Sequence, residues 1–135
     1  MIVNMRGKWM LRIVDHFYIL LSISFAVVSQ LIIKWQMSAF SFDSNETWQE
    51  KYTLAFSMLL NPYIIIALVL TLLAGVTWMI AMTKFEISYA YPFTTLGLVL
   101  VTIFSVIFFG ENIGIYKICG IVLILLGIFI ISKGM

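Results

Sequence analysis

Residues 118–131 read ICGIVLILLGIFII and lie between Lys117 and Lys133. The stretch is apolar on every side, which a helix at a boundary between core and water is not, so it reads as a helix immersed in lipid. Only Gly120 and Gly127 interrupt it, seven residues apart and therefore on one face. Hydrocarbon gives helices no hydrophobic reason to associate, so small residues that let backbones approach become the points where dispersion can hold two helices together. The pair predicts a contact stripe. Its partner is either the same helix of a second chain, in a homodimer or heterodimer, or another helix of its own chain.

The rest of the chain extends this reading. Of 135 residues, 63% are hydrophobic and only 10% charged, and the mean hydropathy is +1.11. A soluble domain of this size has no interior large enough for so much apolar surface, which makes the fold class all-α and integral to a membrane. At about 20 residues per crossing there is room for four helices with short loops and no separate soluble domain. The expectation is one transmembrane bundle over 1–135, with membrane lipids as its surroundings. The net charge of +2 is spread without a basic tract, which argues against a nucleic-acid partner. Cys119 is the only cysteine, so an intrachain disulfide and a cysteine-built metal site are excluded. No nucleophile stands beside a base, no Gly-rich loop offers to hold a phosphate, and the single His16 lies at the entrance to the first apolar run. The expectation is a protein that is not an enzyme and holds neither cofactor nor metal.

Working back to the start, Arg6, Lys8 and Arg12 precede the uncharged run from Phe17 to Ile33. A basic flank before an apolar run also describes a signal peptide, but this run is too long for a signal core and ends in Lys34 and Trp35, so a retained helix over about 17–36 is expected. The polar stretch from Ser38 to Lys51 follows. Asp43 or Ser44, with Glu46 or Thr47 three residues on, would cap a short helix over 45–59. In such a helix Trp48, Tyr52 and Phe56 would seek the membrane interface. A mobile solvated loop is the equal alternative. Asn61 and Pro62 form a strong helix start, opening a second membrane helix over 61–83. A tight connection through Lys84, Phe85 and Glu86 leads to a third over 88–110, where Pro92 is expected to kink or loosen the first turn. The fourth covers 113–132.

Four crossings place both ends on one side. That side carries Arg6, Lys8, Arg12, Lys84 and Lys133, against Lys34, Lys51 and Lys117 on the other, a modest bias that favours both termini in the cytoplasm, with a dual or inverted arrangement as the alternative.

Polar residues inside the spans mark candidate sites. Ser22, Ala26, Gln30 and Lys34 recur every four residues and form one row along the first helix. Gln30 lies well within the apolar span, where an unpaired amide is costly and should find a partner helix or a ligand. Lys34 either snorkels to the interface as an anchor or, beside Gln30, reads an anion such as a phosphate. Ser88, Tyr89, Tyr91, Thr94 and Thr95 cluster around Pro92. They would line a second wall of the site, unless the tyrosines belong to an interfacial aromatic belt. Trp78 is either lipid-facing bulk or a stacking surface for a sugar ring. Asp15, Glu86 and Glu111 all fall at span edges, so no carboxylate is embedded to run a proton-coupled cycle.

The run Val28-Ser29-Gln30-Leu31 with Lys34, the segment Ser88-Tyr89-Ala90-Tyr91-Pro92-Phe93, the run Phe108-Phe109-Gly110-Glu111 and the paired Gly120 and Gly127 together resemble the drug/metabolite transporter superfamily. The likeness covers nearly all of the chain from Phe17 on. It is closest in look to the small four-helix branch that holds small multidrug resistance proteins and aminoarabinose-phosphoundecaprenol flippase subunits. Small multidrug resistance proteins dimerise partly through glycines spaced like Gly120 and Gly127. They also carry an essential helix-one glutamate eight residues before a lysine, and the matching position here is Ala26. That departure speaks against proton-coupled drug export. The flippase-subunit branch has a helix-one glutamine followed four residues later by a lysine, as Gln30 and Lys34 are here.

What the resemblance implies is a dimeric translocase or translocase subunit of a bacterial inner membrane, moving a polyprenyl-phosphate-linked sugar between leaflets. Lys34 would take the phosphate, and Gln30, Trp78, Tyr89, Tyr91 and Thr94 would face the sugar. Two alternatives stand beside it. One is a drug or metabolite exporter that reads a lipophilic cation with Trp78 and Tyr91. The other is a non-transporting membrane partner of a glycosyltransferase complex.

Overall fold

The computed structural model describes the backbone of residues 5–40 and 47–133, with side chains from residue 13 onward. Five helices follow one another: α1 (Met5–Ser38), α2 (Trp48–Met58), α3 (Pro62–Met82), α4 (Ile87–Phe109) and α5 (Ile115–Ser132). Four are long and apolar enough to cross a membrane, the span of α1 being Ile13–Ser38. The chain is thus an all-helical integral membrane protein built as a four-helix bundle.

Local chemistry sets the ends. α1 starts well before the apolar run because nothing between Met5 and His16, proline least of all, stops a helix there. The Asn61 side chain accepts from the Tyr63 N–H at 2.9 Å, with Pro62 in the first turn of α3, as the sequence pattern predicts. α4 stops at Gly110, which takes up φ 64 in the left-handed region where a side chain would be strained. Pro92 does not break α4: it sits in the second turn of a continuous helix. Its missing N–H leaves a carbonyl one turn earlier without its usual donor. Just beyond the proline, Thr94 and Thr95 donate back to the carbonyls of Tyr91 and Pro92.

Between α1 and α3 a helix forms rather than a loop. The cap expected at Asp43 or Ser44 with Glu46 lies outside the described residues. The described start is Thr47, whose N–H donates to the Glu50 carboxylate at 2.8 Å. Trp48, Tyr52 and Phe56 form an exposed stripe along α2, and the Lys51 ammonium lies 5.5 Å from the Trp48 ring centre.

α1 is the central member of the bundle. It runs antiparallel to α3 along a seam fixed by two serines: Ser22 donates to the Ala74 carbonyl at 2.8 Å and Ser29 to the Ala67 carbonyl at 2.7 Å. Both pairs are spaced by seven residues, so two turns of each helix carry the same small-residue contact. Ser29 also shares a hydrogen bond of 2.7 Å with Thr71. On another face α1 runs parallel to α4. Ile19, Ile23 and Val27 form the core there with Ala81, Phe85 and Ala90. A Cβ on Gly97 would meet Ile23 at 3.5 Å, ordinary contact distance, so α4 lies close over α1 at this point. α3 and α4 meet at few points, and α5 packs on α4.

Candidate functional site

Where α3 and α4 diverge over α1, a cavity of about 500 Å³ opens. Small residues leave the room: Ala26 from α1, Ala74 and Gly75 from α3, and Gly97 from α4. A Cβ built on Gly75 would meet nothing within 4 Å, so that wall is set back from its neighbours. The walls carry no carboxylate and no ammonium.

Four of the six residues expected to bind substrate come together here: Gln30, Trp78, Tyr91 and Thr94 all line the cavity. The Gln30 side chain is exposed to it and makes no hydrogen bond to any described residue. It lies eight residues before the end of α1, about 12 Å along the helix axis, which is inside the span. The Trp78 and Tyr91 rings stand edge to face, 6.3 Å between centres, across the opening between α3 and α4. Thr94 donates its hydroxyl hydrogen to the Tyr91 carbonyl at 2.6 Å, so only its oxygen lone pairs face a ligand. Ser22 lines the cavity too, but its hydroxyl is committed to Ala74 and buried.

The other two expected residues lie elsewhere. Lys34 does not line the cavity: its ammonium pairs with Glu111 at 3.0 Å and lies 6.0 Å from the Phe109 ring centre. The Glu111 carboxyl is held below the usual glutamate range, first by the hydrogen bond from Lys34, then by the Ser105 hydroxyl and the Lys34 charge. Tyr89 turns away into an aromatic cluster, with its hydroxyl 3.1 Å from His16 Nε2 and its ring between Phe85 and Phe93.

Glu111 is the residue that sequence reasoning missed, because nothing in its neighbourhood points to a lysine 77 positions earlier. The serine seam did leave a signal: seven-residue spacing of serines in one helix matched by alanines in another. At the periphery, a Cβ on Gly120 or Gly127 would meet nothing within 4 Å. The two glycines therefore do not seat against another described helix of their own chain.

Residues 5–133 match the EamA-like transporter family. The chain belongs to that family. It is similar to the probable 4-amino-4-deoxy-L-arabinose-phosphoundecaprenol flippase subunit ArnF of Shewanella sediminis (strain HAW-EB3), 34% identical over 123 residues that cover 84% of this chain and 85% of that protein. It is also similar to the protein of the same description from Proteus mirabilis (strain HI4320), 28% identical over 109 residues, 78% of this chain and 82% of that one. No solved structure matches it. Membership places the resemblance drawn from the sequence on firm ground and makes this EamA-like protein a membrane transporter. Its Ala26 lines the cavity with a methyl group.

Proposed function

We propose that this transporter moves a polyprenyl-phosphate-linked sugar between the leaflets of a bacterial inner membrane, as a dimer or as one subunit of a heteromeric translocase. The observation that carries this reading is Gln30: a primary amide within the span, exposed to a cavity and without a partner among the described residues. Such a group in a low-dielectric setting is costly unless something polar completes it, and a sugar hydroxyl both donates to and accepts from an amide. Trp78 supplies the flat apolar face on which a pyranose ring rests, and the Thr94 oxygen accepts from a second hydroxyl. Lys34, one turn above Gln30 on the same row, takes the phosphate.

The cavity's shape suits a head group whose tail must stay in lipid. Diverging helices leave a lateral opening, and the polar head is shielded on three sides while the chain remains outside. Two arrangements of α4 about the fixed α1–α3 seam would expose the head alternately to each side. Without an embedded acid, net direction comes from consumption of the product on the far side. A lipophilic cation is the poorer occupant, since the walls offer it ring faces but no carboxylate.

Native mass spectrometry of the protein in lipid nanodiscs with endogenous lipids tests this. The unmodified chain is expected to retain a polyprenyl-phosphate species that Lys34→Ala loses and Gln30→Ala holds at least tenfold more weakly. Retention of bulk phospholipid alone, equal in all three, overturns the reading.

A further inference from the structure

A second recess lies on the far side of the contact between α1 and α4. It measures about 590 Å³ and is lined by Val28, Leu31, Ile32, Trp35 and Ser38 of α1 with Phe108 and Phe109 of α4. All but Ser38 are apolar or aromatic, and the Ser38 hydroxyl donates to the Trp35 carbonyl at 2.7 Å. Directly beside it stands the Lys34–Glu111 pair, with the Lys34 ammonium against the ring of Phe109, itself a wall of the recess. Around α1, Lys34 projects between the row that faces the head-group cavity and the row that faces this recess. An apolar trough with one cation at its lip is complementary to a lipid whose chain carries an anionic group at its end.

We propose that this recess holds the first isoprene units of the substrate chain, with the phosphate at Lys34 in place of the Glu111 carboxylate. The proposal rests on the lipid-linked-sugar reading above and adds a tail subsite to it. The geometry separates the three parts of such a molecule. The sugar lies at Gln30 on one side of the α1–α4 seam, the phosphate at Lys34 on the seam, and the chain on the other side. From Lys34 the chain descends past Leu31 and Ile32 to Val28, six residues or about 9 Å toward the bilayer middle, where it leaves for lipid. A trough bounded by two helices takes a single chain. A diacyl glycerophospholipid would leave its second chain outside, so a single-chain prenyl phosphate is the favoured occupant. Lys34 pairs with Glu111, so entry of the phosphate exchanges one anion for another at the ammonium and releases the part-exposed Glu111 carboxylate to water.

The test uses the full chain in nanodiscs and a prenyl phosphate bearing a photoreactive group in its second isoprene unit. Irradiation followed by peptide mass spectrometry is expected to place the crosslinks on residues 28–35 and 108–109, with competition by unlabelled prenyl phosphate at least tenfold stronger than by phosphatidylglycerol. Leu31→Trp, which fills the trough and keeps the Lys34 ammonium, should cut prenyl-phosphate retention about tenfold. Leu31→Ala serves as a control for folding and keeps most of it. Crosslinks spread over α5 and α3, or equal competition by phosphatidylglycerol, overturn the tail subsite. Retention that depends on Lys34 but ignores Leu31→Trp overturns the subsite while leaving the transport reading intact, and retention that ignores both overturns the two together.

Discussion

Ser29 and Gln30 are neighbours in sequence and opposites in circumstance. Ser29 is 1% exposed and its hydroxyl is shared between the Ala67 carbonyl and Thr71 on α3. Gln30, one residue and about 100° further round the helix, opens on a cavity with no partner among the described residues. Both are polar groups inside a membrane span, where an unsatisfied donor or acceptor is costly. The difference teaches how this small bundle divides its polar residues. One face of α1 uses them to lock a helix, and the adjacent face leaves one open to a cavity.

The most forceful way to break the contrast is to overfill the locked side. Ser29→Leu adds bulk against Ala67 and Thr71 in place of a small hydroxyl, and overpacking of a closed seam is expected to destabilise by about 1–3 kcal/mol, read as a lower thermal midpoint in detergent. Gln30→Leu should do the reverse: stability within about 0.5 kcal/mol of the parent, with retention of the lipid-linked substrate falling about tenfold, or about 1.4 kcal/mol. Equal loss of stability in both would erase the distinction between the locked face and the open one. Ser29→Ala sharpens it, because it removes the hydrogen bonds without crowding. A loss of about 0.6–1.7 kcal/mol is expected, the range for interhelical bonds in lipid.

A smaller effect concerns Glu111. Its carboxyl is held below the usual range by Lys34, so the pair's contribution is fully present above the ordinary glutamate value and is lost as pH falls through the lowered one. Acidification in that window frees Lys34, and anion retention by the parent protein should rise a few-fold there. Glu111→Gln should show the raised level at neutral pH and no such rise, in the same nanodisc measurement. The smallest change is Gly97→Ala, whose added methyl meets Ile23 and Val27 at ordinary contact distance and should leave both stability and retention nearly unchanged.

Much of the architecture was legible because composition and apolar runs dictate it: four spans, the start at Asn61 and Pro62, and the polar row of α1 are properties of one segment at a time. The cavity was legible in part for the same reason, since Gln30 and the hydroxyl-rich start of α4 announce themselves as polar groups in lipid. Pairings between segments were not. Lys34 finding Glu111, and Tyr89 turning to His16 instead of the cavity, depend on the rotation of one helix about its axis relative to another. The Ala67 and Ala74 spacing shows that such pairings do leave traces when the matched residues are small and repeated, whereas a single long-range ion pair leaves none.

Gly110 closes α4 with the only positive φ among the described residues, and the residue that follows it is Glu111. A hydrogen in place of a side chain at that position permits the backbone to reverse its hand, and the reversal ends α4 one residue short of the carboxylate that answers α1. The placement of a charge on one strut of the bundle is therefore governed by the backbone handedness of an achiral residue that bears neither charge nor side chain.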